Sequence, residues 1–83
     1  MESVVECARR ARGRDAEGAA KEAREGRNAC AGNAAETTRL RENEGCRMLM
    51  EIVREMGTME ARGGREEEAR AKCAMFALQT VVN

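Results

Sequence analysis

Gly45-Cys46-Arg47-Met48-Leu49-Met50-Glu51-Ile52-Val53-Arg54-Glu55-Met56-Gly57 decides the fold. Met48, Leu49, Ile52, Val53 and Met56 fall on one stripe of a 3.6-residue period, with Glu51 and Glu55 on the polar side. This pattern belongs to an amphipathic helix and to no strand. The spacing predicts a helix over Cys46–Met56. Gly45 is expected to break the segment before it, and Gly57 to end the helix. Met50 lies off the stripe, where it can meet a neighbouring element or an adaptable partner surface.

Working outward, Thr58 to Gly64 reads as a loop, because Gly63-Gly64 cannot hold a helix. A final helix is expected from near Arg65, with Glu66, Glu67 and Glu68 in its first turn, where the helix dipole favours negative charge. It carries Ala69, Cys73, Phe76, Ala77 and Thr80 on one side and Met75, Leu78 and Val82 on another. A helix apolar on two sides is usually buried between neighbours. Upstream, Asn33 followed by Glu36 forms a capping-box-like start for a short helix to about Asn43. Asp15 can cap a helix over Ala16–Ala31, with Ala16, Ala19, Ala20 and Ala23 on one face and Gly18 and Gly26 weakening it. Ser3–Arg12 is a first helix with Val4, Val5, Ala8 and Ala11 on one face, and Gly13 is expected to end it in the left-handed conformation.

Composition bounds what such a chain can be. It has 83 residues, 15 basic against 15 acidic, no Pro, His, Trp or Tyr, and one aromatic, Phe76. Leu, Ile, Val and Phe are scarce enough to raise the question of disorder, but balanced charge does not hold the chain open. Of the larger apolar residues, only Met1, Val4, Val5 and Leu40 precede Gly45. The first half must build its core from Ala and Cys, so it is expected to be the weaker part, since each buried methylene-sized group stabilises by roughly 0.8 kcal/mol. The length fits one domain. No apolar run is long enough to span a membrane, and Met1-Glu2-Ser3-Val4-Val5-Glu6 lacks the basic start and apolar stretch of a signal peptide.

The first and fourth helices match at an offset of 44: Val4-Val5 with Met48-Leu49, Ala8 with Ile52, Arg10 with Arg54, Gly13 with Gly57. A long helix follows each. A helix, a Gly break and a long helix recurring at this period mark a stacked helical repeat. The stretch from Asn28 through Gly45 to Arg54 resembles the junction between two armadillo repeats. There, a long third helix ends in small residues with an Asn, and a short helix, a Gly turn and an apolar second helix follow. Ala77-Leu78-Gln79-Thr80-Val81-Val82 is similar to the family's Ala-Leu-x-Asn-Leu end of a third helix, with Thr80 where Asn is usual. The chain departs from the family at Glu25-Gly26, which replace the usual Ala-Leu, and in having no Trp.

The resemblance implies an all-α, right-handed α-solenoid fragment of about five helices. Residues 1–33 would form a partial first repeat and 34–83 a second, within a single domain. The alternative is a closed helical bundle. The resemblance further implies a non-enzymatic scaffold that holds an extended partner segment on the concave face of the long helices, here Ala16–Ala31 and Arg65–Val82. Asn28 would meet the partner backbone through its side-chain amide, with Thr80 at the corresponding place in the second repeat. The expected partner is a protein or peptide, with self-association also open, no membrane, no cofactor, and a cytoplasmic or nuclear setting.

Catalytic and metal chemistry find little support. Cys7, Cys30, Cys46 and Cys73 show no Cys-x-x-Cys and there is no His, which argues against a zinc site or an activated thiol. Small, buried, reduced thiols are the expected state. The carboxylates sit in helix-surface patterns with no pocket to raise a pKa. Arg9, Arg10, Arg12 and Arg14 form one basic cluster that offers a second function, binding of nucleic acid or acidic surfaces. The missing aromatics remove the stacking platforms of single-stranded RNA modules. A third reading is an artificial helical bundle with no natural ligand.

Overall fold

The structure, a computed structural model, describes residues 1–60 and 62–82. Ala61, in the expected loop, and Asn83, in the expected second repeat, lie outside the described residues. Five helices follow one another: α1 (Glu2–Arg12), α2 (Ala16–Cys30), α3 (Ala34–Glu42), α4 (Gly45–Thr58) and α5 (Gly64–Val82), and no strand forms among the described residues. The chain is all-α, as the periodicity predicts.

Local chemistry sets most boundaries. The Asp15 carboxylate accepts from the Gly18 N–H at 3.0 Å, and the Asn33 amide oxygen accepts from the Glu36 N–H at 3.0 Å. Two glycine assignments need correction. Gly13 has φ −79°, and the left-handed residue is Arg14, at φ 61°. Asp15 N–H reaches back to Arg10 O and Arg14 N–H to Ala11 O, which closes a Schellman turn around Arg14 and delivers Asp15 to its capping position. Gly57 does not end α4 either, since the helix runs on through Thr58.

Gly45 is the first residue of α4, and the left-handed turn before it belongs to Glu44, at φ 59°. What Gly45 supplies is room. A Cβ there would lie 2.3 Å from Leu40 Cγ and 2.5 Å from Leu40 O. Gly26 serves the α1–α2 contact similarly, where a Cβ would come within 3.2 Å of Val4 Cγ2.

The helices form two antiparallel hairpins, α1/α2 and α4/α5. In the first, Cys7 Sγ lies 3.2 Å from Ala19 O, while Val4 sits by Gly26. In the second, an Arg70 Nη donates to Met59 O, and Val53, Met56 and Gly57 line one groove with Arg70, Ala71 and Ala74. Between hairpins the helices run parallel. Glu17 pairs with Arg65 at the start of α2 and α5, and Arg27 meets Gln79 near their ends. Arg12 pairs with Glu51 across α1 and α4, and Ala11 and Arg14 share a cleft with Glu55, Thr58 and Met59. The ring α1–α2–α5–α4 is closed by contacts on all four sides, antiparallel within each hairpin and parallel between them, an arrangement shared by a two-layer helical stack and by a four-helix bundle with a crossover connection. Here one hairpin stacks on the other in the same orientation, and α3 bridges α2 to α4.

The core is divided as the composition suggests. The first hairpin buries Val4, Cys7, Ala8, Ala11, Ala16, Ala19, Ala20, Ala23 and Cys30; the second buries Leu49, Ile52, Met56, Met59, Ala69, Cys73 and Ala77. Leu40 is the one buried side chain of α3. The second apolar side of α5 is left partly open: Met75 and Leu78 are each 45 % exposed and Val82 is 82 % exposed, whereas Ala69, Cys73 and Ala77 are buried. No helix among the described residues is long and apolar enough to cross a membrane.

Candidate partner-binding face

The parallel pair α2 and α5 presents a polar face. Glu17, Lys21, Arg24 and Asn28 recur along one stripe of α2 and are all exposed. Opposite them on α5 stand Arg65, Glu68 and Lys72. Arg65 pairs with Glu17 at 3.0 Å and Lys72 with Glu68 at 2.8 Å. The hydrogen bond from Lys72 and its charge hold the Glu68 carboxyl below the usual carboxylate range. Among the described residues, Lys21 and Arg24 have no acidic partner.

One constellation on this face is built rather than merely adjacent. The Arg27 guanidinium lies 4.6 Å from the centroid of Phe76, the single aromatic ring of the chain. It donates to Gln79 Oε1 at 2.9 Å and, through two nitrogens, to Asn28 Oδ1 at 3.1 and 3.3 Å. A guanidinium has no acceptor, so both amides must turn their oxygens to it. Their NH2 groups are thereby left to donate elsewhere. The cluster offers two oriented amides and a cation stacked on an aromatic, a combination suited to backbone carbonyls and carboxylates.

The two residues singled out by the resemblance fare differently. Asn28 is exposed and belongs to this cluster. Thr80 is 3 % exposed, and its hydroxyl donates to Phe76 O at 2.8 Å within α5. It faces the core, so the structure does not bring it to the face with Asn28. Its neighbour Gln79 takes that place. Sequence reasoning missed Gln79, Arg27 and Phe76 as a group, because 52 residues separate Arg27 from Gln79 and only the parallel register of α2 and α5 joins them.

The other candidates are placed as follows. Arg9 and Arg10 pair with Glu6, Arg10 also with Asp15, and Arg12 with Glu51. Arg14 lines a cleft with Asp15, Glu17 and Glu66. Arg62 and Arg65 line the same cleft, so the basic cluster is interleaved with acids rather than isolated from them. Cys7, Cys30 and Cys73 are buried and free, while Cys46 is free but exposed, contrary to the expectation for all four. Cys7 and Cys73 meet across the hairpins at an Sγ–Sγ distance of 3.9 Å; the hydrogen bond they share, and behind it burial, push the Cys7 thiol above its ordinary range. Comparison with protein-family models, with curated proteins and with solved structures returns no match to this chain.

Proposed function

We propose that this chain is a non-enzymatic protein-interaction module of armadillo-like construction, which holds an extended partner segment along the α2/α5 face. The observation that carries this reading is the parallel alignment of corresponding helices in two stacked hairpins. It is the register that repeat stacking requires, and it lines up the long helices side by side as a binding surface. The Arg27–Phe76–Gln79–Asn28 cluster gives that surface its anchor. With Lys21 and Arg24 beside it, the favoured segment is acidic. Buried reduced thiols at Cys7, Cys30 and Cys73 suit a cytoplasmic or nuclear compartment.

The test is an NMR titration of the labelled chain with a panel of extended acidic, neutral and basic peptides. Acidic peptides are expected to shift amides of α2 and α5 around Arg27, Asn28 and Gln79. Arg27→Ala should weaken binding about tenfold or more, as loss of an anchor does. Binding that maps to α1 and falls with Arg9→Ala and Arg12→Ala would favour the basic-cluster reading instead.

A further inference from the structure

Cys7 on α1 and Cys73 on α5 are 66 residues apart in sequence, yet their sulfurs lie 3.9 Å from each other. The two helices are a diagonal pair of the ring α1–α2–α5–α4, so the thiols meet across its core. Both are buried, at 1 % and 0 % exposed. Cys7 Sγ also lies 3.2 Å from Ala19 O, which holds it against α2 as well. A metal does not account for the pair: among the described residues, no group of three or more His, Cys, Asp or Glu is placed to hold one.

What two adjoining thiols can do is bond to each other. An S–S bond is ~2.05 Å long, so the sulfurs must approach by about 2 Å. The flanking residues are small and buried, Ala8 and Ala11 on α1 and Ala69 and Ala77 on α5. They let the diagonal helices draw together, where larger side chains would hold them apart.

We propose that Cys7 and Cys73 form a redox-sensitive dithiol, which a peroxide converts to an internal disulfide that staples α1 to α5 and so one hairpin to the other. The bond they share, and behind it burial, hold the Cys7 thiol above its ordinary range, while the same bond draws Cys73 down. Cys73 is therefore the sulfur that ionises and attacks. Its thiolate takes one peroxide oxygen, the O–O bond breaks, and the departing hydroxide collects a proton as water. Cys7 sulfur then attacks the Cys73 sulfenic acid. The S–O bond breaks, the S–S bond forms, and the second hydroxide leaves as water with the Cys7 proton. Two thiols are oxidised by two electrons and one peroxide is reduced to two waters. Peroxide reaches the pair when the alanine-built first hairpin opens, so the reaction is slow and the product prevents that opening. The link is independent of the partner-binding face, since it lies in the core and leaves Arg27, Asn28 and Gln79 as they are.

Hydrogen peroxide added to the reduced full chain bearing Cys46→Ser tests this. The substitution falls at an exposed position and removes the thiol best placed to join two chains. The expected product is a monomer lighter by two hydrogens, with tryptic peptides 1–9 and 73–83 joined through Cys7 and Cys73. Dithiothreitol should part them. The unfolding equilibrium constant in urea should fall about a hundredfold on oxidation and recover on reduction, because the link closes a long loop in the unfolded chain. Cys73→Ala should abolish both the mass change and the stabilisation. If that variant does not fold, the peptide map and the reversible stability shift of the chain retaining Cys73 decide the matter alone. Cys7 joined to Cys30, sulfinic acid at Cys7 or Cys73, or a disulfide that weakens the fold would each overturn the proposal. So would two unreacted thiols under conditions in which an alkylating reagent reaches Cys73.

Discussion

The two hairpins share a shape and differ in what fills them. In α1/α2 the interface is built from alanines, Cys7, Cys30 and Val4, with Gly26 letting Val4 approach. In α4/α5 and its approach, Leu49, Ile52, Met56 and Met59 supply the bulk. Small residues let helices come close, but they remove little apolar surface from water. The second hairpin is therefore expected to be the more stable member, with the first depending on being stacked on it. The corresponding positions Ala8 and Ile52 express this difference at a single site: both are buried, yet one contributes a methyl and the other four carbons.

Thiol labelling gives the largest expected effect on this comparison. Cys46 should react at once. Cys73 should react on the order of a thousandfold more slowly, since reaching it requires opening that costs about 4 kcal/mol in a domain of this size. Cys30, in the first hairpin, should react before Cys73. Equal rates for Cys30 and Cys73 would mean that the hairpins open together. Amide exchange provides the same ranking, with Met48, Leu49, Ile52 and Val53 the most protected; uniformly fast exchange across α4 would break the comparison outright.

Substitution comes next. Ile52→Ala should cost about 3 kcal/mol in chemical denaturation, from lost transfer and the cavity left behind. Ala8→Gly, the corresponding change in the first hairpin, should cost only about 1 kcal/mol. Similar losses at both sites would show that the two cores contribute alike. Gly45→Ala should cost about 1–3 kcal/mol through overpacking against Leu40. If the loss in Gly45→Ala is no larger than a helix-propensity effect, the close approach of α3 to α4 is not needed.

The smallest effect concerns the charges that cross between hairpins. Arg12 bonds Glu51 at 2.8 Å and, through that bond first, holds the Glu51 carboxyl below its ordinary range, against the opposing effect of burial. A carboxyl lowered in the folded state stabilises above its unfolded pKa, and the stabilisation is lost as pH falls through the folded value. Stability should therefore decline on acidification from about pH 4.5 downward. Arg12→Gln should flatten that part of the decline. An unchanged acid limb in the variant would remove this pair from the stacking interface.

Much of this is legible in the sequence. The stripe in Cys46–Met56, the caps at Asp15 and Asn33 and the glutamates opening α5 are short-range signals, and each element they predict is present to within a few residues. The glycines carry a weaker signal. Their freedom suggested helix ends at Gly13 and Gly57, yet Arg14 and Glu44 take the left-handed turns, and Gly45 and Gly26 are used for their lack of a side chain. For Thr80 the helical periodicity and the family resemblance disagree: the period places it with Ala69, Cys73 and Ala77, the resemblance places it on the partner face, and the structure buries it at 3 % exposure, one residue and about 100° of helix away from Gln79.

By itself, the sequence determined that the chain is helical, where its apolar weight lies, and that a pattern recurs at an offset of 44. These follow from local periodicity, capping chemistry and composition. Only the tertiary structure decided that the hairpins stack with corresponding helices parallel, that Arg27 and Phe76 meet, and that one apolar side of α5 is left partly open. Those outcomes depend on pairwise packing between distant segments. A helix with two apolar sides does not encode which of them its neighbours will cover.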